Sequence, residues 1–160
     1  FVVEAPERPL VDRNDGGHIT ITPKVRVVDI QRLTPGQATE LIRLTMVVGE
    51  AMMKVMNDNG VDVGRINYQD NGNWGVFTTE GPYQHFHLYG RAISARYQKY
   101  GQACFFPHRE EQPEFYASLQ PLMQKDIIDM RNAIVSLLNT SKYSDETWKF
   151  PLLNVEPHEM

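Results

Sequence analysis

Polar and apolar residues alternate along residues 83–91, whose sequence is YQHFHLYGR. Alternation with a period of two is typical of a half-buried β-strand, because successive side chains point to opposite faces. On one face of this predicted strand lie His85, His87 and Tyr89. On the other face lie Phe86 and Leu88, which we expect in the core. Gly90 is expected to end the strand, with the charge of Arg91 just beyond it. Two imidazoles and a phenol in a row suit chemistry on an anion such as a phosphate.

Shorter extended segments surround this stretch. Alternation and β-branched residues predict strands at 18–22 and 65–68, and residues 1–4 and 25–28 favour further short extended pieces. A run of turn formers, DRNDGG at 12–17, leads directly into the strand at 18–22. The apolar residues of that strand are Ile19 and Ile21, so His18 shares its polar face with two threonines.

Two longer segments have the three- and four-residue spacing of amphipathic helices. The first is predicted to start at Thr34, which can cap the helix together with Gln37, and to run to about Asp58. Its apolar stripe consists of Leu41, Leu44, Val48, Met52 and Val55. The second is predicted over residues 121–138. Together these elements predict an α+β fold, with a mostly antiparallel sheet of about five strands and two main helices.

The chain of 160 residues is long enough for one domain with its own core. We expect that domain to span residues 1–150, with a C-terminal tail at 151–160. The region around this boundary contains four large apolar residues, Trp148, Phe150, Leu152 and Leu153. Disordered tails rarely contain so many, so we expect the tail to pack on the body or on a partner.

Net charge, apolar runs and cysteine content exclude several classes of function. A net charge of −4 argues against non-specific binding to nucleic acid or to an anionic membrane. No apolar run has the length of a membrane span, and no signal-peptide pattern opens the chain. The single cysteine, Cys104, excludes an internal disulfide and is compatible with a reducing compartment. A cytoplasmic location is therefore expected.

Two motifs resemble those of the histidine-triad (HIT) family of nucleotide hydrolases and transferases. The first is the family's strand motif His-φ-His-φ-His-φ-φ, where φ is apolar, which matches His85-Phe86-His87-Leu88-Tyr89 with tyrosine in place of the third histidine. The second is Gly-His followed by an alternating strand and Pro-Lys, which matches residues 17–24. The family's Gln-Ser pair before the strand motif is missing, and residues 81–83 stand there instead.

The resemblance implies a HIT-like fold and catalysis by histidine. His87, as the middle histidine, would attack an α-phosphorus and form a nucleotidyl-histidine intermediate that water then hydrolyses. One of its ring nitrogens must be free for this, with the other held by an acceptor, which in the family is a backbone carbonyl. His85 and His18 would hydrogen-bond the phosphate oxygens. Tyr89 would donate one hydrogen bond, although it carries no positive charge at neutral pH.

The resemblance also implies how the substrate is held. Glu4 would bind the ribose hydroxyls, and Asn67 is a further candidate for substrate binding. Arg91 is a candidate for a phosphate contact because of its position just after the histidine strand. The substrate would be a dinucleoside polyphosphate or a nucleoside phosphoramidate. No cofactor is expected. The family further implies a homodimer, with the helix after Thr34 at its interface.

Two other functions are compatible with the same residues. A nucleotide-binding protein with little or no turnover is plausible because Tyr89 replaces a histidine. A metal protein is the other alternative, since three histidines (His18, His85 and His87) make an adequate zinc site.

Overall fold

The computed structural model describes residues 1–76 and 78–149, which form a mixed α/β structure. Its four-stranded antiparallel sheet has the order β1-β2-β4-β3. The strands are β1 (Val2–Glu4), β2 (His18–Thr22), β3 (Val63–Asp70) and β4 (Phe86–Ala92). The helices are α1 (Pro35–Asp58), α2 (Pro113–Ser118) and α3 (Gln124–Leu138).

The first helix begins and ends where the sequence predicts. The backbone N–H of Gln37 donates to the Thr34 hydroxyl over 3.3 Å, and the Thr34 N–H donates to the Gln37 side chain over 2.9 Å, which completes the predicted capping box. At the other end Gly60 adopts a φ of 85°, which glycine tolerates without strain. The buried face of α1 packs on the sheet.

Two other predicted boundaries differ from the structure. The second long helix begins at Gln124, three residues later than predicted, where the Met123 amide donates to the side chain of Asp126. Residues 25–28 form no strand, so the sheet has four described strands and not about five. Val25 is 71% and Val28 57% exposed, which leaves this segment without the burial that stabilises a strand.

The histidine-containing strand lies further along the chain than predicted. It starts at Phe86, so His85 precedes it, and it continues through Gly90 and Arg91 to Ala92. Gly90 therefore lies inside the strand. A β-carbon at this position would collide with the backbone of Gly16, in the turn before β2. This contact explains why a glycine occurs within the strand.

The two faces of the sheet differ in character. One face packs against α1 and α3 and contributes apolar side chains to the main core, namely Ile19, Ile21, Ile66, Leu88 and Ala92. By the pairing register, the opposite face carries Thr20 and His18 on β2, His87, Tyr89 and Arg91 on β4, and Arg65 and Asn67 on β3. This polar face positions the residues predicted from the sequence.

The segment after α3 folds back onto α1. Tyr143 is 1% exposed, and its hydroxyl donates to Glu50 over 2.8 Å. The domain boundary expected after residue 150 and the tail at 151–160 lie outside the described residues. In the described part of the chain, no helix is long and apolar enough to cross a membrane.

Candidate active site

Backbone geometry brings His18 next to the histidine strand. His18 is the first residue of β2 and lies opposite Tyr89 of β4, and Thr20 lies opposite His87. The turn before β2 contains Gly16 at a φ of 126° and Gly17 at 82°, which explains the two glycines in that turn. The register therefore places one imidazole from each strand on the same face of the sheet.

A hydrogen-bond chain fixes the tautomers of two buried histidines. The backbone N–H of Leu10 donates to Nδ1 of His18 over 3.2 Å, so that nitrogen carries no proton. The proton of His18 is then on Nε2, which lies 2.9 Å from Nδ1 of His87 and donates to it. Nδ1 of His87 is therefore an acceptor, and the proton of His87 is on Nε2. That buried N–H has no hydrogen-bond partner among the described residues.

His85 has the opposite tautomer. Its Nδ1 lies 2.9 Å from the backbone carbonyl oxygen of Tyr83, which can only accept, so Nδ1 carries the proton. Nε2 of His85 is left with a free lone pair. The sequence resemblance implied a carbonyl of this kind behind His87, but the structure places it behind His85.

Burial keeps the inner histidines neutral. Burial, with a smaller contribution from His85, lowers the pKa of His87 to about 3. Burial also lowers the pKa of His18 well below its usual range, and the neighbouring imidazoles of His87 and His85 add to the effect. Both rings are thus uncharged at neutral pH, as their hydrogen-bond chain requires.

Tyr89 packs against the histidines from within the fold. It is fully buried, and its ring stacks on His87 at a centroid distance of 5.4 Å. Its hydroxyl accepts a hydrogen bond from Asn71 over 2.9 Å. Burial raises its pKa well above the usual range, so the phenol stays protonated. Tyr89 does not line the cavity that the three histidines share.

That cavity has a volume of about 660 Å³ and is open to solvent. His18, His85 and His87 line it together with Glu4, the predicted ribose ligand. The lining residues that the sequence did not single out include Glu7, Arg8, Tyr83 and Arg109. Arg109 lies in a charged loop with the sequence HREE at 108–111. No sequence pattern connects it to the histidines, because α2 and its flanking loops bring it there.

Two predicted substrate-binding residues lie elsewhere. Arg91 is 3% exposed, and its guanidinium donates to the carbonyl oxygens of Lys99 and Gln102. The side chain of Asn67 lies 3.5 Å from Cys104 Sγ, which also accepts a hydrogen bond from Arg91. Neither residue lines the histidine cavity, so their predicted contact with a substrate held there is not supported.

The metal-site alternative receives no support from the side-chain arrangement. His18 Nε2 and His87 Nδ1 are directed at each other and not at a common third point. Within residues 1–76 and 78–149, no group of three or more His, Cys, Asp or Glu side chains is placed to hold a metal ion.

Comparison with known proteins bears on the fold. No protein-family model matches the chain, and no curated protein matches it. A crystal structure of a histidine triad protein from Bradyrhizobium japonicum superposes with a TM-score of 0.50 and 18% identity, over 82% of each chain. The chain has the histidine triad fold. A second histidine triad protein, from Marinobacter aquaeolei, is 16% identical over 84% of this chain and 87% of its own, with a TM-score of 0.44.

The histidine triad fold agrees with the resemblance seen in the sequence. Identity of 18% extends that likeness to the fold and not to the activity of the Bradyrhizobium protein. The activity of this chain must therefore be argued from its own cavity and hydrogen bonds.

Proposed function

We propose that this protein hydrolyses or transfers nucleotides at their α-phosphate through a nucleotidyl-histidine intermediate. The observation that carries the proposal is the pairing of opposite tautomers in one cavity. His85 presents a nitrogen with a free lone pair, while His87 holds a proton on its outer nitrogen. Attack on a phosphate requires a nucleophile, with a hydrogen-bond donor beside it to stabilise the phosphate oxygens.

His85 is the proposed nucleophile, in place of His87. As its Nε2–phosphorus bond forms, the bond from phosphorus to the leaving group breaks, and the leaving group departs with the electron pair. The Nδ1–H of His85 donates to the Tyr83 carbonyl, which stabilises the positive charge that develops on the ring. Water then attacks the same phosphorus, releasing a nucleoside monophosphate and restoring the neutral imidazole.

His87 and His18 act as one unit in this proposal. The unpartnered Nε2–H of His87 donates to a non-bridging phosphate oxygen, which gives a buried donor its missing acceptor. His18 cannot donate to the phosphate as the resemblance implied, because its only N–H is used on His87. Its role is to hold His87 in the donor tautomer, and Tyr89 supports the same ring by stacking.

The cavity carries charge and polar groups for the rest of a nucleotide. Glu4 lines the cavity and is the proposed ribose ligand. Arg8, Arg109 and Glu7 line both this cavity and an adjoining one of about 470 Å³, so two positive charges stand against one negative charge there. Two guanidiniums between the cavities favour an anionic leaving group, such as the phosphates of a dinucleoside polyphosphate.

The proposed assembly is a homodimer that uses α1. This helix carries Ile42 and Met46 one turn apart, and they are 48% and 40% exposed. An apolar pair on the outer face of a helix is a common feature of subunit interfaces. Sedimentation of the wild-type protein and of Ile42→Glu tests this: a dimer that the substitution dissociates is expected, and a wild-type monomer would refute it.

Trapping the intermediate tests the proposed function. The protein is mixed with AMP-phosphoramidate or diadenosine triphosphate, quenched in alkali and digested, and the modified peptide is sequenced by mass spectrometry. We expect an adenylyl group on His85. His85→Gly should form no adduct, whereas His87→Gln should form it slowly at the same residue.

Other outcomes decide between the remaining alternatives. An adduct on His87 would restore the assignment made from the sequence. Binding of AMP without adduct or turnover on either substrate would identify a nucleotide-binding protein instead. A protein that neither binds nor reacts with nucleotides would end the proposal.

A further inference from the structure

A third cavity opens on the polar face of the sheet, beyond Tyr89 from the histidines. It measures about 290 Å³ and is lined by Arg65, Asn67, Arg91, Tyr100, Gly101 and Gln102. None of these residues lines the histidine cavity. Along β4, Tyr89 lies between His87 of the histidine cavity and Arg91 of this one, and Phe106 contacts its ring at a centroid distance of 5.2 Å. This third cavity is therefore a separate site on the same chain.

Two arginines lie directly opposite each other at this cavity. Arg65 of β3 pairs in register with Arg91 of β4, so two like charges occupy neighbouring positions on one face. Like charges in this arrangement repel each other and destabilise the strand pair. Among the described residues, no carboxylate forms an ion pair with either guanidinium.

Burial makes the charge of Arg91 costly. Arg91 is 3% exposed, and a buried charge normally has an oppositely charged partner. Its Nη atoms donate to two carbonyl oxygens and to Cys104 Sγ, but its buried Nε–H has no acceptor. A guanidinium held only by neutral groups, with one donor unused, lacks its counter-ion.

The wall of the cavity is built by close packing. A β-carbon on Gly64 would lie 2.6 Å from the hydroxyl oxygen of Tyr100, so the absence of a side chain at Gly64 lets the tyrosine rest on β3. Arg91 binds the carbonyl oxygens of Lys99 and Gln102 on either side of Tyr100. The loop is thereby fixed over the two arginines, and the space between them is a formed site.

We propose that this cavity binds a phosphate group between Arg65 and Arg91. A phosphate supplies the missing negative charge and enough oxygens to accept from both guanidiniums. The volume of about 290 Å³ lies just below the range of about 300–1,000 Å³ found for small-molecule pockets. It fits one phosphate group, either free or at the end of a larger molecule, and not a whole nucleotide.

Nuclear magnetic resonance of the full ¹⁵N-labelled chain tests the site directly. Inorganic phosphate is added, and the backbone amides of Gly101 and Gln102 and the side-chain amide of Asn67 are followed. We expect saturable shifts at these three groups. Arg65→Gln should weaken binding by about tenfold or more, since it removes one charged donor. The matched control Arg32→Gln, at an exposed arginine outside the residues lining the cavity, should leave affinity unchanged.

Thermal unfolding supplies a second readout. Without phosphate, Arg65→Gln should raise the melting temperature, because it removes the repulsion from Arg91. Addition of phosphate should raise the melting temperature of the wild type more than that of the variant. A lower melting temperature for Arg65→Gln in both conditions would show that the arginine has a purely structural role and would overturn the proposal.

The source of the phosphate is distinguished by a parallel titration with AMP. If a free phosphate is the ligand, AMP shifts only resonances around His18 and His85. If the phosphate of a larger molecule is the ligand, AMP shifts Gly101 and Gln102 as well. If neither compound, at about 10 mM, shifts Gly101, Gln102 or Asn67, the site is refuted.

Discussion

His18 Nε2 and His87 Nδ1 are 2.9 Å apart, and the proton between them belongs to His18 because a backbone amide already occupies the other nitrogen of that ring. This one relationship distributes the roles in the cavity. It makes His87 a hydrogen-bond donor toward a ligand. A separate contact, between Nδ1 of His85 and the Tyr83 carbonyl, leaves His85 with the free lone pair.

The tautomers give the first prediction. In long-range ¹H–¹⁵N spectra at pH 7, His18 and His87 should be protonated at Nε2, and His85 at Nδ1. The reason is that a backbone N–H can only donate and a carbonyl can only accept. A His87 protonated at Nδ1 would contradict the hydrogen-bond chain and return the nucleophile to that residue.

Stability should decrease on acidification through His87. The pKa of His87 is about 3 in the folded protein, below the ordinary 6.5. Between pH 6.5 and 3, the residue is therefore protonated in the unfolded chain and neutral in the folded protein. The stabilising contribution is therefore fully present above pH 6.5 and is lost as pH falls toward 3. The free energy of unfolding should decline by up to about 1.4 kcal/mol per pH unit for this residue.

Urea unfolding at a series of pH values from 7.5 to about 4.5 measures this slope. His87→Gln removes the titrating group, so its slope should be shallower than that of the wild type. His18 contributes in the same direction because burial lowers its pKa too, and the double variant should be shallower still. Equal slopes for all three proteins would refute the burial argument.

Tyr89→Phe should affect stability more than catalysis. The phenol hydroxyl accepts a hydrogen bond from Asn71 and does not line the histidine cavity. We expect a loss of about 0.5–1.5 kcal/mol in unfolding free energy and less than about a threefold change in kcat. Tyr143→Phe, which removes a hydroxyl bonded to Glu50, is the matched control. A loss of about tenfold or more in kcat with Tyr89→Phe alone would give the phenol a role in the transition state.

Gly90→Ala should displace β2 and the histidine it carries. The new methyl group would collide with the backbone of Gly16, which has no flexible side chain to move aside. We expect a loss of about 2 kcal/mol or more in unfolding free energy, together with lower activity. Gly36→Ala is the control, since nothing lies within 4 Å of its β-carbon position, and it should be neutral or slightly stabilising. A fully active and stable Gly90→Ala would show that the Gly16 backbone can shift to accept the methyl group at little cost in free energy.

Periodicity predicted much of the fold because it reports on burial. The capped helix from Thr34 and the shared face of His18, His87 and Tyr89 follow from local spacing. Residues 25–28 form no strand because Val25 and Val28 stay exposed, and local spacing does not report exposure. The start of β4 was also misplaced, because alternation continues past the end of the hydrogen-bonded ladder.

The candidate site was predictable in residue type but not in role. His18, His85 and His87 meet in one cavity, but which nitrogen of each carries a proton depends on backbone groups of Leu10 and Tyr83. Those contacts are set by tertiary structure. Tertiary structure also places Arg109 at the cavity, from a loop whose sequence has no periodicity. Arg91, predicted to contact a phosphate of the substrate, lines a cavity separate from the histidines, and its binding of an anion stays a prediction.

The Leu10 amide has a consequence for how the site tolerates mutation. Every amino acid except proline presents the same N–H at position 10, so substitutions there can change the packing without removing the donor. The path of the main chain, and not the side chain at position 10, thus determines which nitrogens of His18 and His87 are protonated. A different residue at this buried position can therefore keep the pattern, provided that the main chain keeps its path.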